Sequence, residues 1–520
     1  MGIRRTVWAL VALMSFAGLR AWGQSVGDYR TRATGDWSNP QIWQRYNGTT
    51  WVATANPPSG SETITVQSAD SVYVNVPVVI TGRLINQGRI EGAGNLSVGN
   101  GGIYQHDRDG GTIPTIIWQD GSTLLMTGTV SQAPANRNQS YYNMVFDTPN
   151  QSANFNMGLD NVTIRGNIRV INTGYGRWYL TTAAAMDTAI VTVLGDVIVE
   201  GGAFSVQGTG NAQTTFIVHH YGNIVVTGGN FSISRGSQPG GTTTWYLYEG
   251  DFSMSNATTQ SSTQTPGGAR FVFAKQGVQH LTLGEGNTIS SLPIEVKGGT
   301  ALDMGMSRLA GSGIFILNEG ATLMTGLPGG VEEIFQSCTG AITLADGSSY
   351  GFNGTSHQIT SSKMPTVVRD LIINNPAGVT LSQQTTILGV LRLMAGEFDN
   401  TIPFVLGPEG RISFEGGTLK IPVGVERQTA EVPTSFSVAQ NYPNPFNAST
   451  CIRLDLPSAC RVRIRVVNVR GEEVATLFDG RKPAGTHTVI FEAGDLPSGV
   501  YVYRVEAEGQ VRVGKMILQK

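Results

Sequence analysis

The sequence predicts an all-β chain: a right-handed parallel β-helix (solenoid) body followed by a small β-sandwich. Three observations carry that prediction. A glycine-led unit recurs about every 28 residues, short runs alternate apolar and polar residues, and no segment holds a 3.6-residue apolar period for three turns. Composition agrees. Charged residues make up 14% of the 520 positions, against about 25% in ordinary globular proteins, and the 67 glycines are roughly double the usual share. Such a chain turns often and carries few ionisable groups. Its formal net charge of -2 points away from a nucleic-acid partner.

At the start, Arg4 and Arg5 precede an apolar run from Val7 to Leu19, and Ala21-Trp22-Gly23 places small residues where a signal peptidase reads. Residues 1–23 are therefore predicted to be a signal peptide, cleaved before Gln24. The run is too short to span a bilayer, and no later stretch reaches the ~18 uncharged apolar residues that a membrane helix needs. No membrane span is expected in the mature chain.

Residues 28–58 form a distinct opening in which Trp37, Trp43 and Trp51 lie close together. A solenoid has an open end whose core and strand edges need covering, so this segment reads as a tryptophan-rich cap. The other reading exposes the three rings as a platform for sugars, which makes them candidate glycan contacts. The segment is similar to the leader of many secreted proteins of the Bacteroidetes and Chlorobi groups.

The body, residues 59–420, carries the repeat. Gly166-Asn-Ile-Arg-Val, Gly195-Asp-Val-Ile-Val, Gly222-Asn-Ile-Val-Val and Gly250-Asp-Phe-Ser-Met begin at intervals of 29, 27 and 28 residues. Looser copies start at Gly94, Gly313 and Gly389. Each unit offers a short strand, a glycine corner and a second strand, and a propeller blade of ~40 residues or more would be too long for it. Asn or Asp after the first glycine can stack on its counterpart one coil away. Coils rising by ~4.8 Å would number about a dozen between Thr63 and Leu419, with Ile168, Val197, Ile224 and Phe252 in one column. A β-sandwich array is the structural rival.

Catalytic chemistry is sparse. The densest carboxylates are Asp107, Asp109 and Asp120, beside His106 and Arg108 in a segment that reads as a turn with Gly110 and Gly111. His219 and His220 are adjacent, so in a strand they face opposite sides and cannot share a metal. No nucleophile elbow, zinc-binding or phosphate-binding motif occurs. No catalytic residue, metal or cofactor is predicted, and the chain is not expected to be an enzyme.

Residues 421–435 are polar and proline-bearing and read as a linker. In residues 436–520, Ile452, Leu454 and Leu456 alternate with polar partners, and Val462, Ile464 and Val466 alternate with Arg461, Arg463 and Arg465, the period of half-buried strands. The segment has 11 Lys+Arg against 8 Asp+Glu, whereas residues 24–435 have 21 against 29. The arginine row is therefore either a solvated face or a docking surface. Cys451 and Cys460, placed on the two arms of a hairpin, would be too far out of register for a disulfide.

The same segment contains QNYPNPFN from Gln440 to Asn447, a strand ending at Leu456-Pro457, Asn468 through Gly471, Gly485, Leu496 to Tyr501, and a basic last strand ending at Lys520. In this it closely resembles the C-terminal sorting domain, an Ig-like β-sandwich, of proteins exported by the bacterial type IX secretion system. The resemblance implies that Tyr442, Pro443, Asn444, Pro445, Phe446, Gly471, Gly485, Gly499, Tyr501, Lys515 and Lys520 form the sorting signal. It also implies two partners, the secretion machinery and a surface protease that cuts near the linker. The resulting expectation is a secreted or cell-surface structural, adhesin-like solenoid. The alternatives are a glycan-binding module for a surface polysaccharide or extracellular glycan, and a polysaccharide lyase or hydrolase.

Overall fold

The computed structural model describes residues 23–519 except 93, 182–187, 208–214, 235–241, 260–268, 285–291, 422–434, 448 and 495. The predicted signal peptide, apart from Gly23, and most of the predicted linker thus lie outside the described residues. These residues are all-β with about 2% helix, and wind about 14 turns of β-solenoid. They fall into two compact units that divide between Met364 and Pro365, inside the predicted repeat body.

In the first unit, strands from successive coils pair in parallel, which excludes the sandwich array. Ile168 lies opposite Val197, Val197 opposite Ile224, and Ile224 opposite Phe252, so the four form the predicted column. All four are buried. Alternation does the sorting, since inward side chains stack into one continuous core and outward ones meet solvent. Each buried aliphatic or aromatic side chain contributes roughly 1.5–3 kcal/mol.

The glycine corners have a reason that the sequence does not display. Gly166, Gly195, Gly222 and Gly250 do not take left-handed φ values. Instead, a β-carbon on Gly222 would fall on the Gly195 carbonyl oxygen, and one on Gly250 on the Gly222 carbonyl, both well inside 3.0 Å. The backbones of successive coils simply come too close for a side chain. Beside them runs the expected stack. The Oδ1 atoms of Asn143, Asn167, Asp196 and Asn223 accept from the backbone N–H of Asn167, Asp196, Asn223 and Asp251 at 2.9, 2.8, 2.7 and 3.0 Å, and Asp251 accepts from His280 N–H at 2.8 Å.

The coil length is not a uniform 28 residues. Arg83, Ile103, Thr123 and Asn143 are paired in sequence at steps of 20 residues, before the steps of 29, 27 and 28 that lead from Ile168 to Phe252. Two of the three looser copies are also out of phase, while the one from Gly389 joins the sheet by its first strand, Val390–Ala395. In the copies from Gly94 and Gly313 it is the second strand, Ile103–His106 or Thr322–Thr325, that joins the sheet containing Arg83–Asn86 or Thr300–Asp303. In the copy from Gly195 it is the first, Val197–Val199. Corners on different faces use the same short glycine pattern, so similarity marks a corner and not a phase.

The opening segment is a cap. Tyr29–Thr31 pairs in parallel with Thr63–Val66 of the first coil, then antiparallel with Trp43–Tyr46, which pairs antiparallel with Trp51–Ala53. Trp37 and Trp43 pack edge to face at 5.1 Å and are buried.

The second unit contains further parallel coils and a sandwich. Leu371–Asn374, Val390–Ala395 and Arg411–Phe414 pair in that order. The sandwich joins the antiparallel strands Ser437–Val438, Ser449–Leu456 and Gly485–Glu492 to a second sheet ordered Glu473–Lys482, Cys460–Asn468, Gly499–Ala507, Gln510–Leu518. Ile452, Leu454, Leu456, Val462, Ile464 and Val466 fill its core, as the alternation predicts. Cys451 and Cys460 are both free thiols. They are not on one hairpin, because their strands belong to different sheets.

Candidate functional site

Most of the residues predicted to form the sorting signal gather around the last strand. Phe446 inserts into the sandwich core, and its N–H donates to the Ile517 carbonyl while Gln519 N–H donates to the Phe446 carbonyl, both at 2.9 Å. Asn444 Oδ1 accepts from Ile517 N–H at 2.9 Å, and its Nδ2 donates to the Lys515 carbonyl at 3.2 Å. Gln440 Nε2 donates to the same carbonyl at 2.7 Å. The YPNPF segment is thus a clasp that holds the final strand. Pro443 and Pro445 both follow cis peptide bonds, and the Pro443 carbonyl accepts from Asn441 Nδ2 at 3.2 Å and Thr450 Oγ1 at 2.8 Å.

Gly499 sits opposite Leu518 and Tyr501 opposite Met516, so they belong to the same end. The Tyr501 hydroxyl donates to the Pro497 carbonyl at 2.7 Å. Gly471 follows Asn468, which pairs with Tyr501. Gly485 lies apart, opposite Leu456. Gly471 and Gly485 take φ of +83° and +129°, with no atom within 4 Å of an added β-carbon, so here conformation demands glycine. The Lys515 side chain is exposed, and Lys520 lies outside the described residues. Of the motif, Tyr442 alone presents a large side chain outward, at 81% exposure. It pairs with Cys451 through two 3.0 Å backbone hydrogen bonds, and Cys451 lies opposite the exposed Ile490.

The arginine row is balanced by its own sheet. Arg461 and Arg463 lie 3.0 and 3.5 Å from Asp479, and Arg465 lies 2.6 Å from Glu506 and 3.5 Å from Glu473. Hydrogen bonding to Arg465 holds the Glu506 carboxyl below its usual range. A bare cationic docking face is therefore not what these residues make.

The three aspartates fasten coils. Asp107 accepts from Gln87 Nε2 at 2.8 Å and Thr127 Oγ1 at 2.7 Å. Asp109 accepts from Ser131 Oγ at 2.6 Å and from the N–H groups of Val130, Ser131 and Gln132 at 2.9, 2.8 and 2.8 Å. Burial works to raise its pKa, but the Ser131 hydroxyl and these N–H donors together outweigh it and hold it at about 2. Asp120 pairs with Arg165. The turn is formed by Gly110 and Gly111, at φ of +61° and +74°. His106 is buried, with Nε2–H donating to the Gly110 carbonyl at 2.8 Å, and burial lowers its pKa to about 4.

His219 and His220 face opposite ways, as alternation requires. His220 is buried with Nε2–H donating to the Gly195 carbonyl at 2.8 Å, and burial lowers its pKa to about 4. His219 faces outward into an aromatic stack that sequence reading missed. It lies 5.9 Å from Tyr246 with planes 14° apart, Tyr246 lies 5.8 Å from Tyr248 at 15°, and Tyr248 lies 5.2 Å from Tyr221 at 27°. Lys297 Nζ stands 5.6 Å from the Tyr246 ring centre. Near-parallel rings at these distances form an offset stack that ties neighbouring coils together on the outer face. The available signal was alternation, which places His219 with Tyr221, and Tyr246 with Tyr248, on outward positions of neighbouring coils.

The candidate glycan contacts Trp37, Trp43 and Trp51 do not form an exposed platform. Trp37 and Trp43 are 1% and 0% exposed, and their indole N–H groups donate to Pro58 and Trp37 carbonyls at 3.3 and 2.9 Å. Closing the first coil needs bulk, and these rings supply it. Trp51 is half-buried, with the Arg30 guanidinium 4.6 Å from its ring centre and Tyr46 at 5.3 Å.

Among the described residues, no helix is long and apolar enough to cross a membrane. Residues 440–519 match the family model described as "Secretion system C-terminal sorting domain". No curated protein and no solved structure matches the chain. The tail is a type IX secretion sorting domain, which implies engagement of the secretion machinery and export to the cell surface or the medium.

Proposed function

We propose that this chain, exported by its type IX sorting domain, acts outside the cell as a structural or adhesive solenoid and has no catalytic activity of its own. The observation that carries this reading is the way polar side chains are used. The Asn143–Asn167–Asp196–Asn223–Asp251 column joins coil to coil, and Asp107, Asp109 and Asp120 are each engaged in coil-to-coil contacts. A general acid needs a raised pKa, and Asp109 is held at about 2, the opposite direction. In this reading the surface protease separates the tail within residues 421–435.

The test is attachment. Cells displaying the chain should bind extracellular glycan or matrix surfaces better than cells displaying the tail with residues 59–420 deleted. Equal attachment would remove the adhesive role. Deleting residues 436–520 should strand the body in the periplasm. The purified chain should not turn over acidic or neutral polysaccharides, and turnover lost in Asp107→Asn or Asp109→Asn would replace this reading with an enzymatic one.

A further inference from the structure

The first and last coils end differently. The opening of the first coil is closed by Trp37 and Trp43. The last coil consists of Val405–Leu406, Arg411–Phe414 and Thr418–Leu419, and among the described residues each of these strands pairs only with the coil before it. The N–H groups of Arg411 and Glu415 donate back to Gly389 and Leu393 carbonyls at 2.9 and 2.8 Å. Strand alternation therefore points the N–H groups of Ile412 and Phe414 toward the open edge.

Among the described residues the core columns are uncovered there as well. Ile387, Leu391, Leu393 and Phe398 are fully buried, and their partners one coil on are Leu406, Ile412, Phe414 and Leu419. Of these, Leu406, Ile412 and Leu419 are half-buried, and Phe414 is 62% exposed. A row of unpaired backbone groups beside exposed core residues is a template for pairing with another chain.

We propose that this open coil end is a two-fold interface between two copies of the chain, an inference beyond the reading above. Two observations select that occupant. Head-to-tail stacking onto a first coil would need an open first coil, and the tryptophans close it, so the self-complementary solution is end against like end. The edge strand also begins at Arg411, which has no ion-pair partner among the described residues, and is followed by Glu415, whose carboxylate holds the Arg392 guanidinium of the coil before at 3.0 Å and keeps its negative charge at this end. Antiparallel pairing about a two-fold axis brings each Arg411 toward the other copy's Glu415, whereas a parallel stack would set like over like.

Light-scattering mass of the purified full chain, from about 1 to 100 μM, tests this. The expected result is the mass of two chains at the upper concentrations. Phe414→Pro removes an outward N–H and an exposed ring, and Arg411→Glu opposes Glu415; each should weaken dimerisation at least tenfold with an unchanged circular dichroism spectrum. Because Arg411 is exposed, its variant keeps the test valid if the proline variant folds poorly. A wild-type monomer throughout, a dimer indifferent to both variants, or assemblies larger than two would each overturn the proposal.

Discussion

Glycine does different work in the coils and in the sandwich. At Gly222 the constraint is space, because the preceding coil's backbone occupies the position of a β-carbon; at Gly471 it is conformation, with φ of +83° and open space around it. The same residue type thus reports crowding in a stacked fold and handedness in a turn. A substitution at the first must displace a neighbouring backbone, while one at the second strains only itself.

The largest difference between the two regions should appear on acidification. His106 and His220 are buried in the coils with pKa values lowered to about 4, whereas His487 of the sandwich is only half-buried. Between about pH 6.5 and 4 the unfolded chain binds more protons at these two positions. The stability they confer is therefore complete above that window and is lost as pH falls through it, together on the order of 7 kcal/mol. Calorimetry at pH 7 and pH 4.5 should show the coil transition falling further than the sandwich transition. His106→Gln and His220→Gln should flatten that dependence, and an unchanged slope in both variants would break the contrast.

Next in size is Gly222→Ala, expected to cost about 3 kcal/mol because a packed backbone must move. Gly471→Ala should cost about 1 kcal/mol. Chemical denaturation of the two variants compares them directly, and equal losses would mean that coil stacking relaxes easily. Asn223→Ala removes the acceptor for Asp251 N–H at a partly exposed position and should cost about 1 kcal/mol, read from the same titration. The smallest stability effect is expected for Tyr442→Ala, within about 0.5 kcal/mol. If the exposed tyrosine is read by the export machinery, its loss should nonetheless lower the amount reaching the surface, as measured by cell-surface labelling.

Much of this was legible in the residues. The four aligned glycine units gave both the apolar column and the Asn/Asp stack, because pairing by register repeats whatever the sequence repeats. The tail was legible through both alternation and ordered motifs. Coil length was not, since the strands at Arg83, Ile103, Thr123 and Asn143 step by 20 residues without the long glycine motif. The role of the tryptophans was ambiguous because burial at a coil end depends on tertiary closure, which no local pattern records. The aromatic stack of His219, Tyr221, Tyr246 and Tyr248 was hidden for a related reason, as it needs two coils in register before its members meet. The Asn444 clasp, finally, joins positions more than seventy residues apart.

That clasp bears on when the tail can finish folding. Because Asn444 and Phe446 bind Lys515, Ile517 and Gln519, the start of the sorting domain is fastened by its very end. A product of stalled synthesis or clipping that lacks those residues leaves Phe446 without its backbone partners, however well its coils have folded. The two ends of the domain are thus completed together.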